Sequence, residues 1–254
     1  MKGVLILFGE SFREGNTSVR TRDTKKSVLT QKKASLSHTE FCKYLNDVYN
    51  IYMDIYITTY DTIYETKLKS WYSNPIYKSN KVLNRSKIIQ DAVNDIDKKK
   101  YDFVLITRID IFIKPYFYKT FDPTWDKLLF LCQEWKQWNC GLYKDKITYP
   151  LVNTIFEFIP KSYFNILDSV SVEHYAWQHY MNRFKLSSND MGYMTENRYS
   201  GNTGLDFNPY YRIVGRPENK IRHDKGKVNL SEYGKTRKIK CKESTVRTKN
   251  ALKM

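Results

Sequence analysis

The sequence predicts an α/β fold in which a mainly parallel central sheet is flanked by helices. Two observations predict it. Three short segments, the apolar runs at 3–8 and 102–107 and the β-branched and aromatic stretch 51–58, read as strands. Between them lie two stretches with helical spacing, 36–49 and 81–97. Alternation of strand and helix over the first 110 residues implies parallel strands joined by right-handed crossovers. In such sheets, ligands bind outside the carboxyl ends of the strands.

The elements follow in order. The run Val4-Leu5-Ile6-Leu7-Phe8 ends at Gly9, and 10–34 is polar, reading as a long loop. Leu36, Phe41, Tyr44, Leu45 and Val48 have helical spacing, with Ser35 or Ser37 as N-cap. Ile51–Thr58 is β-branched and aromatic, hence a strand with Tyr60 and Asp61 at its end. Val82, Ile88, Ile89, Ala92, Val93 and Ile96 define the second amphipathic helix. Residues 102–107 form the third strand, followed by Arg108-Ile109-Asp110. Further on, 128–132 and 155–159 read as strands, 161–170 and 172–184 as helical, and 210–214 as a late strand.

The chain carries 43 Lys+Arg against 27 Asp+Glu, a formal net charge of +16 that points to an anionic partner. Thirteen basic and four acidic residues fall in 216–254, so this basic tail holds +9 and the rest +7. Residues 1–215 are expected to be one domain, divided into 1–115 and 116–215. The four cysteines make no CxxC pair, which gives no sign of a zinc ribbon or thioredoxin-like site. The first apolar run is too short for a membrane span or a signal-peptide core, so a cytoplasmic protein is expected.

The sharpest chemical feature is the strand ending in Arg108-x-Asp110. A carboxylate at a strand end suits a hard divalent cation, which would bridge two phosphates of a nucleotide diphosphate. Arg108 beside it suits bidentate contact with phosphate or carboxylate. The same pair also reads as a simple strand-end ion pair. Glu134, Glu157, Glu173, Asp190 and Asp206 are the carboxylates of the second half that could act as a base toward an acceptor hydroxyl. Asp190, in the polar loop SSNDMGY, is the first choice. In Glu134-Trp135-Lys136-Gln137-Trp138, polar groups alternate with rings, so Trp135 and Trp138 could stack on sugar, although such rings serve equally in a core. His174 and His179 sit five apart, which argues against a zinc-protease motif.

Several segments together resemble the GT-A glycosyltransferases, and in particular the small enzymes by which large DNA viruses such as chloroviruses build capsid glycans. They are VLILFGESFREG (4–15), ITTYDTIY (57–64), NRSK (84–87), LITRIDIFIKP (105–115) and NPYYRIVGR (208–216). The resemblance implies a nucleotide-sugar-binding half at 1–115 and an acceptor half at 116–215. It implies that Gly9, Glu10 and Arg13 lie under the nucleotide, that Tyr60 and Asp61 contact base or ribose, and that Arg85 and Arg108 reach the diphosphate. Asp110 would hold Mn²⁺ or Mg²⁺, and Asp206 with Trp135 and Trp138 would face the acceptor. The first Asp of the family's DxD is Arg108 here, so Asp110 is the one ligand the motif supplies. The function implied is sugar transfer from a nucleotide diphosphate, with a UDP-sugar favoured. The acceptor would be a glycan on a viral capsid protein, and a carboxylate base would give inversion, with a retaining mechanism as the alternative. Nucleic-acid binding through the tail and a non-catalytic sugar-binding module are the competing readings; the first lacks any helix-turn-helix, zinc-finger or RRM signature.

Overall fold

A computed structural model of the 254-residue chain describes residues 1–14, 21–81, 84–132, 152, 154–171, 176–195 and 210–214. Strand β1 (Lys2–Gly9) is followed by the hairpin strands β2 (Arg13–Glu14) and β3 (Thr21–Arg22), helix α1 (Lys25–Tyr49) and strand β4 (Tyr52–Tyr60). Then come α2 (Glu65–Lys69), β5 (Ile76–Asn80), α3 (Arg85–Asp95), β6 (Phe103–Arg108), β7 (Ile111–Ile113), α4 (Pro115–Thr120) and β8 (Leu128–Phe130). The rest is β9 (Phe156–Pro160), a 3-10 helix (Lys161–Ser169), α5 (Ala176–Phe184), β10 (Met191–Tyr193) and β11 (Tyr211–Ile213).

Seven strands form one sheet in the order β10-β8-β9-β6-β1-β4-β5, with strands from both expected halves of the domain. β1 runs parallel to β4 and β6, and β4 to β5, while β9 lies antiparallel to β6 and β8. The predicted α/β class with a mainly parallel, helix-flanked sheet is therefore observed. Side chains alternate between two cores. Leu5, Leu7, Phe103 and Leu105 face α1 and α4, while Val4, Ile6, Phe8, Val104 and Ile106 face α3, the 3-10 helix and α5. Gly3 sits where a Cβ would come within 2.4 Å of the Phe103 ring, so a side chain there would displace that ring. Trp125 and Trp177 are core residues: Trp125 packs on Phe121 and Phe158, and Trp177 on Phe130.

The start of α1 corrects the expected loop. The helix begins at Lys25, ten residues before Ser35, and is capped by Thr24, whose hydroxyl accepts from the Ser27 amide. Its buried face includes Ser27, Gln31, Ser35, Ser37 and His38, so hydrophobic spacing could not reveal its first half. The helix ends as Asn50 turns into the left-handed region, and its amide caps Asn46. Helix α3 starts at Arg85 rather than 81, where the Asn84 side chain accepts from the Lys87 amide. No helix among the described residues is long and apolar enough to cross a membrane. The basic tail, 216–254, lies outside the described residues.

Candidate functional site

The carboxyl ends of β1, β4 and β6 converge on one cleft, lined by Phe8, Gly9, Glu10, Arg13, Tyr60, Arg85 and Arg108. The chain turns out of β1 at Gly9, whose φ of 106° favours glycine. Three residues on, Phe12 also adopts a positive φ and buries its ring against Tyr64 and Trp71. That anchor holds the loop between Gly9 and Arg13. The Thr59 hydroxyl donates to the Gly9 carbonyl, and the Ser11 amide donates to the Thr59 hydroxyl. β4 thus fixes the same loop from the neighbouring strand.

Helix α1 fixes the segment that carries Asp110. The Gln31 side chain accepts from the Phe12 amide at 3.2 Å and donates to the Ile109 carbonyl at 2.9 Å, joining the two loops of the cleft. Ser37 accepts from the Ile113 amide at 2.9 Å. His38 Nε2 lies 2.7 Å from the Ile111 carbonyl and Nδ1 lies 2.9 Å from the Tyr72 hydroxyl. Burial pushes the His38 pKa down to about 4, so the ring is neutral near pH 7, with Nε2 donating and Nδ1 accepting. From the other side, the Asp110 carbonyl accepts from the Val214 amide, and β11 pairs antiparallel with β7. Sequence reasoning missed Gln31, Ser37, His38 and Thr59, because their role is to satisfy backbone groups distant in sequence.

Arg108 and Asp110 meet in a bidentate pair. Arg108 Nε donates to Asp110 Oδ1 at 2.8 Å and Nη2 donates to Oδ2. Burial alone would lower the Arg108 pKa, but the Asp110 carboxylate outweighs it and the net direction is up. Arg13 Nη1 lies 3.9 Å from Asp110 Oδ2, and Arg13 Nε lies 3.9 Å from Glu10 Oε2. Arg22 Nε lies 3.7 Å from Glu10 Oε1, and Arg22 Nη2 donates to the Asp61 carbonyl at 2.9 Å. Arg85 stands exposed at the first turn of α3. Among the described residues, the cleft and its margin therefore hold four guanidinium groups against the carboxylates of Glu10, Asp61 and Asp110.

The expected residues distribute as follows. Gly9, Glu10, Arg13, Tyr60, Arg85 and Arg108 line the cleft. Tyr60 is also a core residue, its ring packing beside Phe8 and forming one wall of the cleft. Asp61 is at the margin, exposed, accepting from the Ser79 hydroxyl. Trp135, Trp138 and Asp206, with Glu134, Glu173 and His174, lie outside the described residues.

The structure bears on two further expectations. Asp190 is at the wrong end of the sheet. β9 runs antiparallel to β6, β8 antiparallel to β9, and β10 parallel to β8, so β10 runs in the same direction as β6. Asp190 precedes β10, its carbonyl accepting from the Leu128 amide at the start of β8, and so lies at the end opposite the cleft. It caps a turn by accepting from the Ser187 amide and hydroxyl and from Tyr163; the Ser187 bonds, first of all, hold its pKa below the usual carboxylate range. Asp110, the expected ligand of Mn²⁺ or Mg²⁺, is paired with Arg108. It is 1 % exposed, and both of its oxygens are engaged by Arg108. No three His, Cys, Asp or Glu among the described residues gather as a metal shell. Among the described residues, the carboxylate that would hold such an ion is thus shared with Arg108.

Glu157, another of the expected carboxylates, is fully buried in β9, opposite Ile106. Its Oε2 accepts from the Tyr180 hydroxyl at 3.1 Å, and burial pushes its pKa up to about 8. It belongs to the core between sheet and α5.

No protein-family model and no curated protein matches this chain. Among solved structures, it is similar to a Drosophila beta-1,4-galactosyltransferase 7 mutant in complex with manganese, UDP-Gal and xylobiose: identity 10 %, TM-score 0.45, covering 92 % of this chain and 79 % of that one. A glycosyltransferase involved in glycosylation of the major capsid of PBCV-1 gives 14 % identity and TM-score 0.37, covering 77 % and 81 %. The galactosyltransferase LgtC in complex with donor and acceptor sugar analogues gives 11 % and 0.38, covering 76 % and 67 %.

Proposed function

We propose that the protein is a glycosyltransferase that binds a nucleotide-diphosphate sugar in the cleft at the carboxyl ends of β1, β4 and β6. The observation that carries this reading is the placement of Arg13, Arg85 and Arg108 around the Gly9 turn, beside the Tyr60 ring. An excess of guanidinium groups suits a diphosphate, which takes bidentate donors well. Tyr60 offers a wall for a base or ribose. The first segment that resembles the GT-A enzymes supplies Phe8, Gly9 and Glu10 to the same lining.

The finer reading follows that resemblance. The donor is a UDP-sugar, the acceptor a glycan on a viral capsid protein, and inversion proceeds by direct attack of an acceptor hydroxyl on the anomeric carbon. The base is then one of Glu134, Glu173 and Asp206, since Asp190 and Glu157 face elsewhere. In this scheme Arg108 and Arg85 bind the diphosphate and offset the charge that develops on it as the glycosidic bond breaks. Asp110 keeps the Arg108 fork in place.

Donor release separates this reading from a binding-only module. The full chain, incubated with UDP- and GDP-sugars, is expected to release the nucleoside diphosphate, and Arg108→Ala is expected to lose that release. Turnover of no sugar nucleotide, with no thermal shift from any of them, would refute the proposal.

A further inference from the structure

We propose that the outward face of α1 docks the protein on an anionic lipid bilayer. The inference goes beyond the donor-binding reading and does not rest on it. Two observations carry it. First, Lys25, Leu29, Lys32, Lys33, Leu36 and Lys43 fall within an arc of about 100° on the helix, given its 3.6 residues per turn. This arc lies opposite the buried side, which holds Ser27, Gln31, Ala34, His38 and Phe41. All six are exposed, Leu29 at 64 % and Leu36 at 43 %. Second, the charge of this face is not neutralised within the described residues. Lys25, Lys32, Lys33 and Lys43 make no ion pair there, whereas Lys26, at the border of the arc, reaches Glu14 at 2.6 Å. Glu40 lies in the same arc and offsets one of the four charges.

Lysines with aliphatic side chains between them match a bilayer surface in two ways. Anionic headgroups attract each ammonium, and the acyl boundary beneath takes the leucines. The long lysine stems let their heads stay at headgroup level while the leucines sit deeper. A nucleic acid would meet the same lysines, but Leu29 and Leu36 would then face a charged backbone and their apolar area would gain nothing. Ile63 is 79 % exposed and follows Thr62, whose hydroxyl donates to Asp23 just ahead of the helix, so a further apolar side chain stands near the start of α1. Through Gln31, the buried side of the helix holds the Phe12 amide and the Ile109 carbonyl, so docking brings these two loops of the cleft toward the membrane.

Co-sedimentation of the full chain with vesicles of phosphatidylcholine, and of phosphatidylcholine mixed with phosphatidylglycerol, tests this, with duplex DNA titrated in parallel. Binding to the mixed vesicles alone is expected, weakening as salt is raised. Lys32→Gln with Lys33→Gln is expected to weaken it about tenfold. Leu29→Gln with Leu36→Gln leaves the charge unchanged and is expected to weaken it about fivefold. Both double variants keep the basic tail, so a tail that carried the binding would leave them unchanged, and that result would overturn the inference. Equal binding to both kinds of vesicle, or binding to neither, would overturn it as well. So would a lysine variant that loses duplex DNA and keeps the vesicles, since the face would then belong to a nucleic acid. None of these positions lines the cleft, so each of these failures leaves the donor reading standing.

Discussion

Replacing Glu157 with Gln tests the electrostatics of the core directly. The carboxyl is fully buried, and its pKa rises from 4.5 to about 8 because burial penalises the anion more than the Tyr180 hydroxyl stabilises it. Between those values the folded protein keeps a proton that the unfolded chain has released. The stability this provides is complete below about pH 4.5 and is lost as pH rises through about 8. The slope is about 1.4 kcal/mol per pH unit, which between pH 5 and pH 8 amounts to about 3.5 kcal/mol. Glutamine has nearly the same shape and no charge to lose. Urea unfolding, followed by tryptophan fluorescence at pH 5, 6, 7 and 8, should show Glu157→Gln close to the parent at pH 5. At pH 8 it should be more stable by about 3 kcal/mol. Subtracting the two profiles removes every other titrating group they share. Parallel profiles, with a constant difference from pH 5 to pH 8, would refute the reasoning and mean that water or a cation reaches the carboxylate.

Three further outcomes are expected. Gln31→Leu leaves the Phe12 amide and the Ile109 carbonyl without their partner, and should cost about 2–4 kcal/mol in urea unfolding; a loss under 1 kcal/mol would show that these bonds are replaceable. His38 should stay neutral down to about pH 4, since burial disfavours its cation, so stability from this ring is present above pH 6.5 and is lost as pH falls toward 4; an imidazole carbon shift titrating near 6.5 in NMR would contradict this. Gly9→Ala meets no neighbour within 4 Å, so its cost, about 1–3 kcal/mol by thermal unfolding, is backbone strain at φ 106° alone; a variant as stable as the parent would mean the turn relaxes.

What could be read in the sequence is what depends on local pattern. β1 and β6 announced themselves because strands buried on both faces are continuously apolar, and β4 by its β-branched and aromatic content, which placed Gly9, Tyr60, Arg108 and Asp110 at one end of a sheet. What depends on pairing at a distance was hidden. The first ten residues of α1 contact backbone with Gln31 and turn a polar face inward, so no apolar stripe marks them. Asp190 sits in a polar loop like many catalytic carboxylates, and only the antiparallel insertion of β9 reveals that its loop faces away. The strand-end Arg-x-Asp was visible, but its two readings differ in which partner the carboxylate takes, and that is decided by the closeness of Arg13 and Arg108 in three dimensions.

The bond from the Val214 amide to the Asp110 carbonyl bears on how the chain is made. β1, β4 and β6, together with α1 and α3, can pair as soon as residue 108 is available, so most of the cleft wall can form early in synthesis. The turn at Asp110 gains its second support only when residues 210–214 arrive, more than a hundred positions later. Closure over so long a separation is slow relative to the local steps. A nascent chain would thus carry a nearly finished sheet whose turn at Asp110 is still held on one side only.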